Sequence, residues 1–170
     1  MGQLASRSRS SASQPGADSV RLLFDTSTLI AALVEAHPAH PLAYQWLYSV
    51  KDGRHTGLIS AHTLAELYSK LTRIPFASGV LPAAKAQLMI ETNVISLFEI
   101  VPLSGDDYLT IIQQLANQTL NGGIIFDALI FYAAIKSGAD QLVTLNPKHF
   151  RQIYPELANR VVGLTAEAKE

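Results

Sequence analysis

The sequence contains no cysteine, which excludes disulfides and thiolate metal sites. That is compatible with a reducing, cytoplasmic setting. Charge of either sign is scarce. Charged residues make up 16% of the 170, and the formal net charge is −1. A protein that grips nucleic acid by blanket electrostatics is more basic than this. A phosphate-bearing partner must therefore be held by a local patch or by bound cations. Long hydrophobic runs are also missing. The most apolar window, Ile124–Ile135, is too short to span a bilayer and contains Asp127, so no membrane association is expected. There is no internal repeat, heptad run or domain linker beyond the N-terminal segment.

What is present suffices for one domain with a core: 48% of the residues are apolar. Residues 1–19 are polar and Ser-rich, with Arg7, Arg9, Pro15 and Gly16, and are expected to form a disordered tail. Met1-Gly2 with Ser6 loosely fits a myristoylation pattern, and the Arg/Ser content loosely fits a transit peptide. A plain extension is the preferred reading. The expected domain covers residues 20–164, and residues 165–170 form a charged end.

The apolar run Val20–Phe24 stops abruptly at Asp25, and Thr26, Ser27 and Thr28 follow. A short apolar run of this kind fits a buried parallel strand. Asp25 then lies just past the strand's carboxyl end, the edge where ligands bind in open α/β sheets. The three hydroxyl residues are suited to capping the next helix. Further strands are expected at Thr56–Ser60, Ser96–Leu103, Gln141–Leu145 and Arg160–Leu164. Helices are expected at Leu29–Glu35, Leu42–Val50, Ala61–Thr72, from Pro82 to about Asn93, after Ser104, and from Ile124 to Lys136. Ile74–Val80 reads as a loop, and Pro147–Tyr154 as a helical turn. Strands alternating with helices predict a parallel sheet covered on both faces.

In Ile124–Ile135 every residue except Asp127 is apolar. A helix apolar all round is a buried helix, and a lone buried carboxylate is costly unless it is paired, neutralised or bound to a metal. A first-turn acid could also simply complement the helix dipole. Glu66 lies on the polar side of its helix, away from the stripe of Leu64, Leu67, Tyr68 and Leu71, where it could instead pair with Lys70. Asn146 follows the Gln141–Leu145 strand, though Thr144–Pro147 also suits a plain turn. Three carboxylates gathered at one rim raise one another's pKa, and a cation resolves the conflict. An all-oxygen donor set favours Mg²⁺ or Mn²⁺, which bind phosphate oxygens and activate water.

The chain from Val20 to about Leu164 resembles a PIN domain and, within that group, a VapC-type toxin ribonuclease. The resemblance rests on LLFDTSTLIAAL at Leu22–Leu33, the broken helix with His37 and Trp46, LISAHTLAELYSKLTR at Leu58–Arg73, GGIIFDALIFYAA at Gly122–Ala134 and LVTLNPKHF at Leu142–Phe150. It implies a three-layer α/β/α fold with a central, mostly parallel sheet. It implies that Asp25, Glu66 and Asp127 occupy the acidic metal positions, and that Thr144 and Asn146 fall where the family supplies a hydroxyl and a fourth acid. An asparagine at that place is a departure, since its amide oxygen ligates without charge. Also by resemblance, the substrate is RNA, the products carry a 5′-phosphate, a cognate antitoxin inhibits the enzyme, and the chain forms a homodimer.

Two rival readings remain. One is a PIN-like module that holds RNA or a protein partner without cutting it. The other is a phosphatase acting through Asp25, weakened because Ser27 stands where haloacid-dehalogenase-like enzymes carry a second Asp. His37 and His40 lack the partners of a zinc site. Arg54, Lys70, Arg73, Lys136, Lys148 and Arg151 read as ordinary solvated charges rather than a phosphate-binding patch. Asp140 would start a strand rather than end one.

Overall fold

The computed structural model describes residues 19–76 and 79–164. The expected terminal tails lie outside these residues, apart from Ser19, whose Oγ is 3.4 Å from Thr56 Oγ1. Strand β1 (Arg21–Phe24) buries Leu22, Leu23 and Phe24 completely. Because side chains alternate along a strand, Leu22 and Phe24 enter one core and Leu23 enters the other. A strand buried on both faces has to be apolar throughout, which is why the run could be read from the sequence.

Elements α1 (Thr26–Leu33), α2 (His40–Lys51), β2 (Thr56–Ser60) and α3 (Ala61–Leu71) follow. Next come a small hairpin of β3 (Pro75–Phe76) and β4 (Gly79–Val80), then α4 (Ala83–Ile90) and a π turn at Glu91–Ile95. The chain continues through β5 (Phe98–Val101), α5 (Gly105–Asn117), α6 (Ile124–Ser137), β6 (Gln141–Thr144), α7 (Pro147–Ile153), a 3-10 turn at Pro155–Arg160, and β7 (Val161–Gly163). The five main strands run in the order β5-β2-β1-β6-β7, and every neighbouring pair is parallel. One core joins the sheet to α1–α4 through Ala31, Leu47, Leu67 and Ala86. The other joins it to α5–α7 through Ile111, Phe131 and Phe150. This is the expected three-layer α/β/α arrangement. Among the described residues no helix is long and apolar enough to cross a membrane.

Several boundaries differ from expectation. The segment expected as a loop at Ile74–Val80 carries the β3–β4 hairpin. Pro82 is the residue before α4 rather than part of its first turn, and the helix passes into the π turn instead of running on to Asn93. Tyr68 is exposed, so the buried stripe of α3 rests on Leu67 and Leu71. Helix α5 starts at a reciprocal cap: Ser104 Oγ accepts from Asp107 N–H at 3.2 Å, and Asp107 Oδ2 accepts from Ser104 N–H at 2.6 Å. Lys136 Nζ, 2.6 Å from the same Oδ2, ties the end of α6 to the start of α5. These donors, Lys136 first, hold the Asp107 carboxyl below its ordinary range.

Gly57 on β2 is required by close approach. A Cβ there would meet the Phe98 ring and Val50 Cγ1 at 2.7 Å. Gly57→Ala is therefore expected to cost about 1–3 kcal/mol by overpacking. A lower urea midpoint with an unchanged slope would show it; an unchanged midpoint would contradict it.

Candidate functional site

Parallel pairing brings the carboxyl ends of β2, β1 and β6 to one rim. Asp25 directly follows β1, and its N–H donates to Val143 O at 3.1 Å, continuing the ladder. Its side chain is turned inward and the residue is only 4% exposed. Asp25 Oδ2 accepts from Ser27 Oγ at 2.5 Å and from Thr144 Oγ1 at 2.7 Å. Each hydroxyl also accepts a backbone N–H from the turn after β6: Leu145 N donates to Ser27 Oγ, and Asn146 N donates to Thr144 Oγ1. The two hydroxyls thus link the carboxylate to the backbone of that turn.

Thr26–Thr28 were expected to cap α1. Instead Asp25 occupies the N-cap position, without a side-chain cap bond. Thr26 Oγ1 donates to Glu66 Oε2 at 2.7 Å, Ser27 donates to Asp25, and Thr28 Oγ1 donates to Val143 O at 2.9 Å. A hydroxyl that donates to an ionised oxygen makes a stronger bond than one that accepts from an amide, so carboxylates outcompete the helix end.

Glu66 is carried by α3, which starts directly off β2 with Ser60 as its cap. Its contacts are Thr26 and, at 4.0 Å, His62 Nε2, rather than Lys70. Asp127 lies in the first turn of α6. The expectation of a helix buried all round fails there, for Phe126 is 47% exposed and the Asp127 side chain 24%. Burial begins at Ala128. A helix N-terminus has free N–H groups that need solvent or partners, so this turn opens at the rim. Asp127 Oδ2 lies 3.1 Å from His149 Nδ1. A cavity of about 460 Å³, lined by residues including Asn121, Ile124, His149 and Gln152, borders Asp127.

The three acids sit in one another's field. Burial pushes the Asp25 carboxyl up, the Ser27 and Thr144 hydroxyls oppose this in part, and the charge of Glu66 adds to it. Burial also raises Asp127, and the charges of Asp25 and Glu66 push in the same direction against His149. Even so, among the described residues no group of three His, Asp or Glu side chains is close enough to clasp one ion directly.

Thr144 is fully buried, whereas Asn146 is exposed at the start of α7. Asp140 accepts Arg21 N–H at 2.8 Å beside the start of β1, away from the rim, as its place in the sequence implied. His37 Nδ1 accepts from Ala39 N–H, and His40 Nδ1 lies 2.9 Å from Ala31 O. Both serve the α1–α2 junction. Arg54 pairs with Asp52, Lys136 with Asp107, and Arg73 binds Ser69, so these cations are spent locally. Sequence reasoning missed His149, His62 and Phe126. The only local signal was spacing: His62 stands four residues before Glu66, and Phe126 is next to Asp127.

Known proteins resemble the chain in sequence and in fold. A sequence model described as the PIN domain matches residues 22–154. The chain is 32% identical over 119 residues to Ribonuclease VapC27 of Mycobacterium tuberculosis, covering 70% of this chain and 80% of that protein. It is 30% identical over 118 residues to Ribonuclease VapC40 of the same species, covering 69% and 81%. Among solved structures it is similar in fold to VapBC2 from Rickettsia felis bound to a DNA fragment from their promoter. There the TM-score is 0.60 at 22% identity, over 85% of this chain and 98% of that one. DNA-bound VapBC from Salmonella typhimurium gives a TM-score of 0.61 at 21% identity, over 86% and 99%.

Two outcomes test the rim. Thr144→Val removes a buried donor at nearly constant shape and should cost about 1–3 kcal/mol in urea unfolding. The upward shifts at Asp25 and Asp127 mean that the folded chain binds these protons more tightly than the unfolded one. Their contribution to the stability of the metal-free protein is therefore lost as pH rises from the ordinary value of 3.8 through the raised one. Asp25→Asn, measured in EDTA, should flatten that fall and be more stable than wild type at neutral pH. A less stable variant there would contradict the electrostatic reading.

Proposed function

The chain belongs to the PIN domain family, and on that premise we propose that it is a metal-dependent endoribonuclease, the toxin member of a VapBC-type pair. The observation that carries this reading is the gathering of Asp25, Glu66 and Asp127 in one mutually repulsive field at the sheet's carboxyl rim. Folding offers no benefit for such repulsion; a hard cation does. Their all-oxygen donor chemistry suits Mg²⁺ or Mn²⁺. Since no three of these side chains reach one ion directly, Asp25, Glu66 and Asp127 would hold it in part through waters. A bound cation of this kind supplies polarisation of the scissile phosphate and a water acidic enough to attack in line.

The chain's own groups prepare the site. Ser27 and Thr144 fix the Asp25 carboxylate, and Thr26 fixes Glu66. His149 holds Asp127. The Asn146 amide offers a neutral oxygen at the same rim. No side-chain nucleophile is required, and Asp25, two hydrogen bonds deep, acts as a ligand rather than as a phosphate acceptor.

The relatives named as ribonucleases support RNA as substrate; products ending in a 5′-phosphate are part of the same proposal. The VapBC complexes among the fold neighbours support an antitoxin partner; a homodimer and a cytoplasmic setting are part of the same proposal. A second reading, a module that binds RNA or a protein without cutting, is favoured by the exposed Asn146 in place of an acid. Titration calorimetry with Mn²⁺ separates the two, because the module would bind its partner and take up no metal.

Cleavage of total RNA should require Mg²⁺ or Mn²⁺ and stop in EDTA. Asp25→Asn, Glu66→Gln and Asp127→Asn should each slow it by at least about a hundredfold. Undiminished cutting by Asp25→Asn or Asp127→Asn would sink the assigned roles.

A further inference from the structure

We propose that Phe126, backed by His62, is a stacking platform for one nucleobase of the single-stranded RNA cut at the acidic rim. The inference rests on the ribonuclease reading and adds what grips the substrate beside the scissile phosphate.

The rings of Phe126 and His62 lie nearly parallel, with an interplanar angle of 4° and centroids 5.2 Å apart. With one side of its ring covered by the imidazole, Phe126 is still 47% exposed. It stands beside Asp127 in sequence. His62 stands four residues before Glu66, with Nε2 4.0 Å from Glu66 Oε2. The stack therefore bridges α3 and α6, the two helices that carry these acids. A base on the open side of Phe126 would extend the stack by one layer while its phosphate lay toward the carboxylates.

Charge and solvation favour this role. The net charge is −1, and Arg54 and Lys136 are paired with Asp52 and Asp107. Affinity for a polyanion then draws on the cation site, on exposed lysines such as Lys148, and on contacts insensitive to charge. Stacking on an aromatic ring is such a contact, and it tolerates any base because every base has a π-face. The buried part of α6 begins two residues after Phe126, so beyond the face packed on His62 its ring stays open beside the acids. The buried Nε2 of His62 has no hydrogen-bond partner, so packing under Phe126 and proximity to Glu66, rather than a hydrogen bond at that atom, locate the ring.

The experiment first maps a cut in total RNA, then uses a labelled single-stranded oligonucleotide of about 12 nucleotides spanning it. Phe126→Ala should raise KM about 5- to 150-fold, the range for one lost base stack, with kcat changed less than threefold. Phe126→Tyr, which keeps the ring, should restore KM. Removing the base at one nucleotide beside the cut should weaken wild type by the same factor and leave Phe126→Ala unaffected. Equal KM for wild type and Phe126→Ala would overturn the proposal. So would a loss confined to kcat, or a loss of antitoxin binding or dimerisation with RNA binding intact. If wild type cuts no RNA, the ribonuclease reading fails separately, and Phe126→Trp still tests the platform. Its fluorescence, over the Trp46 baseline, should be quenched by single-stranded RNA, and the absence of quenching would overturn the proposal.

Discussion

Everything at the rim depends on keeping one carboxylate, that of Asp25, almost fully out of water. Burial of a charge is costly unless hydrogen bonds replace its lost hydration. Here two hydroxyls do so, one from the start of α1 and one from the last residue of β6. Each is itself held by a backbone N–H of the turn that leads into α7. The bond from Thr144 crosses between neighbouring parallel strands, so it exists only when β1 and β6 are paired in register. Sheet formation and site formation are the same event at this point.

The arrangement opposes stability on purpose. The charge of Glu66 raises the energy of ionised Asp25, and those of Asp25 and Glu66 do the same to Asp127, a strain that a protein retains where function repays it. The surroundings limit the damage with neutral donors for two of the acids: Ser27 and Thr144 at Asp25, and Thr26 at Glu66. An imidazole serves the third, Asp127. No lysine or arginine is bonded to any of the three among the described residues. A fixed cation there would neutralise the field that a divalent ion is meant to fill.

Much of the fold was legible. The apolar run ending at Asp25 and the Ser104 start of α5 are local signals whose physics acts within a few residues. Asp25 and Asp127 were legible because they end or interrupt an apolar pattern, whereas Glu66, on the polar face of its helix, stood out only through the family resemblance. The hydroxyls of Thr26–Thr28 were misread, because a local rule offers them a helix end while the folded chain offers Thr26 and Thr28 a carboxylate and a carbonyl from distant segments, and Ser27 the neighbouring Asp25. Asp127 was placed too deep, since hydropathy does not tell where along an apolar helix the protein surface falls. His149 carried no local signal and His62 only its four-residue spacing from Glu66; a histidine's role depends on which neighbour its ring nitrogen meets.

The sequence by itself determined the alternation of strands and helices, the parallel sheet and the identity of the acids that meet at its edge. Periodicity and hydrophobic runs act through nearest neighbours along the chain. Only the tertiary structure decided which hydroxyl serves which carboxylate, that His149 faces Asp127, and that Phe126 stacks on His62 in the open. Apart from the local Ser27–Asp25 bond, those pairings join groups 22 to 119 residues apart. Angles and distances at that separation are set by the packing of two cores against one twisted sheet, which no local pattern encodes.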